Sequence, residues 1–186
     1  DGKPLGQLPD GEMSFHFDRI HQKQPCRAAA LMALEIPKEG GDTLFANMVL
    51  AYETLPDDLK QKIAGRTALN TFTYGATSPD KREGQGPQCE HPVARTIPET
   101  GKKALYVCRL MSDRINGMEP TESRALLDQL CDHAENPRFI YQHKWKVGDI
   151  VVWDNRATQH ARTDFSEHER RLMKRVTIGD DRPPMH

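Results

Sequence analysis

The sequence predicts a mainly β protein, a β-sandwich or small barrel with its helices on the outside. Three observations point there. Short strand-like runs bounded by Gly, Pro and charged residues recur along the chain. Only two stretches, 48–65 and 121–136, show the spacing of helices. A length of 186 residues suits one domain (1–186), enough to bury about 70% of its unfolded surface around a single core without disulfides.

The elements follow in order. Asp1 to Gly11 is polar and rich in Gly and Pro, and reads as a loop. The chain lacks an initiator Met, so the expectation is a fragment of a longer protein with upstream strands missing. Ser14 to Asp18 is an extended run, and Arg27 to Ile36 a buried strand, since Pro37 and Gly40-Gly41 close it too soon for a helix. Thr43 to Asn47 is a short strand. Met48 to Gly65 is a helical insertion, with Leu50, Leu55, Leu59 and Ile63 inward, Pro56-Asp57-Asp58 opening a second helix and Gly65 stopping it. Asn70 to Tyr74 alternates like a half-buried strand, and Phe72 and Tyr74 could equally wall a pocket. Ser78 to Glu90 has almost nothing to bury and reads as a mobile surface loop, either a lid or a plain linker. Ala104 to Cys108 is a strand, followed by Met111 as a pocket candidate. Thr121 to Asn136 is an amphipathic helix capped by Thr121, with Leu126, Leu127, Leu130 and Ala134 inward. Arg138 to Trp145, Asp149 to Trp153 and Arg170 to Ile178 close the chain as strands.

Bulk properties exclude several functions. With 26 Lys+Arg against 27 Asp+Glu, a net charge of −1, there is no basic excess for a nucleic-acid backbone or an anionic membrane. No apolar run approaches the ~20 residues of a membrane span, and Asp1-Gly2-Lys3-Pro4 is unlike a signal peptide, so a cytoplasmic location is expected. Cys26, Cys89, Cys108 and Cys131 contain no CxxC pair and read as reduced, mostly buried thiols.

The chemistry concentrates in His16, Asp18 and His160. On an extended strand alternate side chains share a face, so His16 and Asp18 stand ~6.6–6.8 Å apart on one side and Phe17 points to the other. Two imidazoles and one carboxylate suit a non-haem ferrous ion, since they fill one face of its coordination sphere and leave the other open. Alone, the His-x-Asp pair is a weak signal, since such polar pairs are more often found on an exposed strand face than at a metal. Eleven residues after His160 comes Arg171, then Arg175. On a strand Arg171, Met173, Arg175 and Thr177 share one face, while Leu172, Val176 and Ile178 share the other, expected to pack outward against a helix. Inward guanidinium groups are costly unless anions meet them, and Arg binds carboxylates through two parallel hydrogen bonds. The bland alternative is a solvated basic edge strand. Asp154-Asn155-Arg156 is expected to form a turn that orients His160. Trp153 is expected to pack in the core, and His21, His91, His133, His143 and His168 to be structural or exposed.

Taken together, His16-x-Asp18, Gly40-Gly41-Asp42-Thr43, His91-Pro92-Val93-x-Arg95-Thr96, Trp153-Asp154-Asn155-Arg156-x-Thr158-x-His160 and Arg170-Arg171-x-Met173-x-Arg175 closely resemble the taurine dioxygenase/2,4-dichlorophenoxyacetate dioxygenase family. The resemblance runs from Phe15 to Pro183. It implies a double-stranded β-helix, the jelly roll of cupin-like proteins, with the metal in its lumen. It implies that His16, Asp18 and His160 bind Fe(II), that Arg171 and the Thr43 hydroxyl hold the distal carboxylate of 2-oxoglutarate, and that Arg175 meets an anionic group of the primary substrate. The implied reaction consumes 2-oxoglutarate and O2, releases succinate and CO2, and hydroxylates a C–H bond of a small anionic molecule such as a sulfonate, sulfate ester or aryloxy or alkyl carboxylate. The expected partner is therefore a small molecule, with no nucleic acid or membrane and with homo-oligomerisation left open. Members usually carry a sizeable segment before the His-x-Asp strand. Two rivals stand beside this reading: a jelly-roll zinc hydrolase, for which Arg171 has no evident use, and a non-catalytic metabolite-binding module.

Overall fold

Phe17 and its neighbours show how the chain divides its apolar residues, because they turn away from the lumen into a core outside it. A computed structural model describes residues 11–81 and 86–186; the remaining parts of the two expected loops lie outside the described residues. The elements are β1 (Met13–His16), β2 (Ala28–Glu35), β3 (Thr43–Asn47), α1 (Met48–Glu53), α2 (Asp57–Ile63), β4 (Thr67–Thr71), β5 (Gln88–Pro92), β6 (Ala94–Thr96), β7 (Lys103–Leu105), β8 (Ser112–Ile115), α3 (Pro120–Ala134), β9 (Ile140–His143), β10 (Ile150–Asp154), β11 (Thr158–Arg162) and β12 (Leu172–Ile178). Two antiparallel sheets, ordered β1-β11-β3-β9 and β10-β2-β12, face each other as a jelly roll. Phe45 of β3 reaches Trp153 of β10 across the gap, ring centroids 5.4 Å apart.

The insertion between β3 and β9 supplies the main core. Phe15, Phe17, Ala46 and Ala161 on the outer side of the four-stranded sheet pack with Met48, Leu105, Tyr106, Leu127 and Leu130. The lumen holds only a small apolar cluster around Ala29, Phe45 and Trp153, which leaves room for polar groups. Burying each large apolar side chain in the outer core contributes about 1.5–3 kcal/mol.

Several expectations are corrected. Helix α3 starts on Pro120, with Glu119 rather than Thr121 at the cap position; a first-turn proline gives up an N–H that has no helical partner. Only Ala29 and Ala33 of β2 are buried, so it is a half-buried central strand. Gln88 to Glu90 pair with β4, which shortens the loop expected over 78–90. No helix covers the outward face of β12 among the described residues: Val176 is 56% exposed and, two strands away, Val152 is 61% exposed. No described helix is long and apolar enough to cross a membrane.

Candidate metal centre

His16 and His160 are cross-strand partners. β1 and β11 pair antiparallel with these residues opposite each other, which sets their rings at 4.2 Å between centroids. Asp18 lies just past the end of β1, and its Oδ1 is 3.9 Å from His16 Nε2 and 3.7 Å from His160 Nε2. One donor atom from each of the three buried residues falls within 4.8 Å of the others, close enough to share one ion. Phe17 points away and packs on Tyr106 at 4.5 Å, as strand alternation requires.

The protonation pattern suits a cation. His16 Nδ1 donates to the Ser14 carbonyl at 3.0 Å, because a carbonyl only accepts; Nε2 is thereby left with its lone pair facing Asp18. Burial lowers the pKa of both imidazoles, that of His160 to about 3. Burial raises the Asp18 pKa, but His160, Arg175 and His16 outweigh it and hold the carboxyl below its usual value. Two neutral imidazoles and an ionised carboxylate remain. Asp18 Oδ2 is buried without a hydrogen-bond partner, an orphaned acceptor that costs about 1–3 kcal/mol unless something positive meets it. The trio therefore fits a divalent metal.

Asn155 holds the carboxylate strand. Its Oδ1 accepts from the Asp18 N–H at 2.8 Å, and its Nδ2 donates to the carbonyls of Asp18 and Cys26, both at 3.0 Å. The 154–156 turn thus orients Asp18 rather than His160, a correction that reflects how the turn lies across the strand end. Arg156 donates to Asp154 and Glu99 instead of reaching the site.

Arg175 points into the lumen from β12, its Nη2 2.5 Å from Asp18 Oδ1. Beside it opens a cavity of about 420 Å³ whose wall includes His16, Asp18, His21, Phe72 and Met111. His21 is not a plain exposed loop residue: it stacks on Phe72 at 4.7 Å, and its Nδ1 is buried without a partner. Tyr74 is 76% exposed and lies outside the cavity wall. Trp153 packs 4.8 Å from His160, the core role expected of it.

Arg171 and Thr43 gather at the Gly40-Gly41 run. Arg171 Nε donates to the Gly41 carbonyl at 3.0 Å, and burial lowers the guanidinium pKa to about 10, with Arg162 adding to the effect. Thr43 is buried, and its Oγ1 accepts from Trp145 Nε1 at 3.0 Å. Trp145 carried no sequence signal for a site. Its contact joins two residues far apart in the chain. The expected structural roles of His91 and His133 agree with their bonds to the Gln22 and Ala51 carbonyls.

The pattern of the family described as "Taurine catabolism dioxygenase TauD, TfdA family" matches residues 1–177. The chain belongs to the TauD/TfdA family. Among TauD/TfdA relatives, the chain is 36% identical over 169 residues to the alpha-ketoglutarate-dependent 2,4-dichlorophenoxyacetate dioxygenase of Burkholderia sp. strain RASC, covering 88% of this chain and 57% of that enzyme. It is 31% identical over 183 residues to the alpha-ketoglutarate-dependent sulfate ester dioxygenase of Pseudomonas putida, covering 91% of this chain and 60% of that enzyme. The crystal structure of AAD-2 in complex with Mn(II) and N-oxalylglycine superposes with a TM-score of 0.86 at 31% identity, covering 92% of this chain and 70% of that one. The chain thus spans about 57–60% of the length of these two enzymes. The TauD/TfdA assignment accounts for the jelly roll and matches the reading of the motifs.

Proposed function

We propose that the protein is an Fe(II)- and 2-oxoglutarate-dependent dioxygenase that hydroxylates a C–H bond of a small anionic molecule and releases succinate and CO2. The observation that carries this is the buried trio His16, Asp18 and His160, two of which, His16 and Asp18, line a cavity that Arg175 also lines. In this reading the three residues hold Fe(II), which with 2-oxoglutarate and O2 supplies the oxidising chemistry. His16 and His160 present neutral nitrogens, and Asp18, steadied by Asn155, balances part of the ion's charge. Arg171 and Thr43 hold the distal carboxylate of 2-oxoglutarate. Arg175 offers its remaining N–H groups to the substrate anion while one side faces Asp18.

The substrate classes follow the relatives, one named for an aryloxyacetate and one for sulfate esters. We place the described strands in one dioxygenase domain, and its four free cysteines favour a reducing, cytoplasmic setting. Homo-oligomerisation is read by sedimentation.

The test is anaerobic loading with Fe(II) and 2-oxoglutarate, followed by succinate assays with aryloxyacetates and alkyl sulfates. A visible charge-transfer band needing both additions is expected, with turnover lost in His160→Ala. Arg175→Ala is expected to raise KM for each active anion about tenfold or more, the scale of a charge-assisted bond. Zinc binding with no band and no succinate would overturn the reading.

A further inference from the structure

The Thr43 hydroxyl has one proton and two lone pairs, and the structure shows how one lone pair is used. An indole N–H can only donate. The 3.0 Å contact between Trp145 Nε1 and Thr43 Oγ1 therefore makes Thr43 the acceptor. Its own proton points elsewhere. No acceptor for that proton is seen among the described residues, although Thr43 is only 3% exposed. A buried donor without a partner calls for an acceptor from outside the chain.

The surroundings hold Trp145 in place. It is buried and meets His143 edge-on at 4.5 Å and 84°. His143 pairs with Thr43 across β3 and β9, and its Nε2 lies 3.2 Å from Asp149 Oδ2. The same carboxylate accepts from the Lys146 N–H at 2.9 Å, which ties down the residue next to Trp145. Two residues before Thr43, the Gly41 carbonyl accepts from Arg171, so the guanidinium and the hydroxyl are anchored to one short run.

We propose that Trp145 is a positioning residue of the cosubstrate pocket: by donating its indole N–H to Thr43 Oγ1, it commits the Thr43 hydroxyl proton to the distal carboxylate of 2-oxoglutarate. The proposal rests on the assignment of Thr43 and Arg171 to that carboxylate. Without the indole N–H, the threonine hydroxyl would be free to turn about its Cβ–Oγ1 bond and either lone pair could face the ligand. With Trp145 in place it stays a donor aimed at an anion, and Trp145 acts without touching the ligand.

The test is calorimetric binding of N-oxalylglycine, an analogue of 2-oxoglutarate, to the Mn(II)-loaded protein. Trp145→Phe and Thr43→Val are each expected to weaken binding about three- to tenfold, the scale of one hydrogen bond. The double variant is expected to be no weaker than Thr43→Val alone, because without the hydroxyl the indole has nothing to direct. KM for 2-oxoglutarate should rise with kcat retained, and Mn(II) affinity without the analogue should not change. Additive losses, or unchanged affinity in Trp145→Phe beside a weakened Thr43→Val, would overturn the proposal. Parent affinity in both Thr43→Val and Arg171→Ala would instead overturn the carboxylate assignment beneath it. Should Trp145→Phe not fold, the native chain still decides: the Trp145 indole proton, assigned with Trp153→Phe, should exchange slowly and shift when the analogue binds. Exchange as fast as in free tryptophan would count against it.

Discussion

Asn155 satisfies three buried backbone groups with one side chain, and its position decides where the metal-facing carboxylate points. Replacing it with Ala leaves those groups unpartnered at about 1–3 kcal/mol apiece before relaxation. Asn155→Ala should therefore lower the urea midpoint and weaken Mn(II) binding about 10–100-fold, the usual scale for loss of a group that orients a metal ligand; both are read by titration. The trio was legible through the motifs that carry the family resemblance, since the His-x-Asp pair alone is common on exposed strand faces. The partner of Asn155 was not legible, because a turn's hydrogen bonds depend on which strand end lies beneath it. Trp145 was equally silent: an indole in a strand-like run looks like core until its N–H is seen to face a hydroxyl.

The Gly40-Gly41 run before β3 works through close approach. Both residues have positive φ, +73° and +66°, where a side chain is strained. A Cβ on Gly40 would sit 2.0 Å from the Asp164 carbonyl oxygen, so Gly40→Ala should cost more than about 1–3 kcal/mol in a urea melt. A Cβ on Gly41 would lie 2.9 Å from Pro37 Cγ and 3.1 Å from Arg171 Cδ. Gly41→Ala should thus displace the guanidinium and weaken N-oxalylglycine binding more than it lowers stability. Turn chemistry made the glycines readable at the level of elements, as did the span of β3. Strand β8 and the true start of α3 were not readable, since neighbouring layers settle the boundaries of short elements.

The molecule keeps its large apolar core outside the jelly roll and the buried imidazoles and carboxylate of the metal centre together as one polar cluster. That arrangement makes stability depend on pH. In the folded, metal-free protein burial keeps His16 and His160 neutral, His160 down to about pH 3. The unfolded chain protonates both near pH 6.5. Protons therefore favour the unfolded state as pH falls below about 6.5, and each residue costs up to about 1.4 kcal/mol per pH unit while only its unfolded form titrates. Asp18 acts in the same direction below its unfolded value near 3.8. Urea melts between pH 7 and pH 5 should show falling stability, with a shallower slope in His160→Gln; a flat profile in the parent would contradict the burial of neutral imidazoles.

The sequence by itself determined the mainly β class through the alternation of its short runs, and the family through several motifs in order, because both are carried by local runs of residues. The roles of individual side chains are what the resemblance to that family implies. Tertiary structure decided which groups meet. Pairing β1 with β11 brings His16 to His160, and the 154–156 turn braces Asp18. Pairing β3 with β9 sets Trp145 on Thr43, and the outer face of β12 is left open among the described residues. Such contacts join distant segments through packing, and no local pattern of residues encodes them.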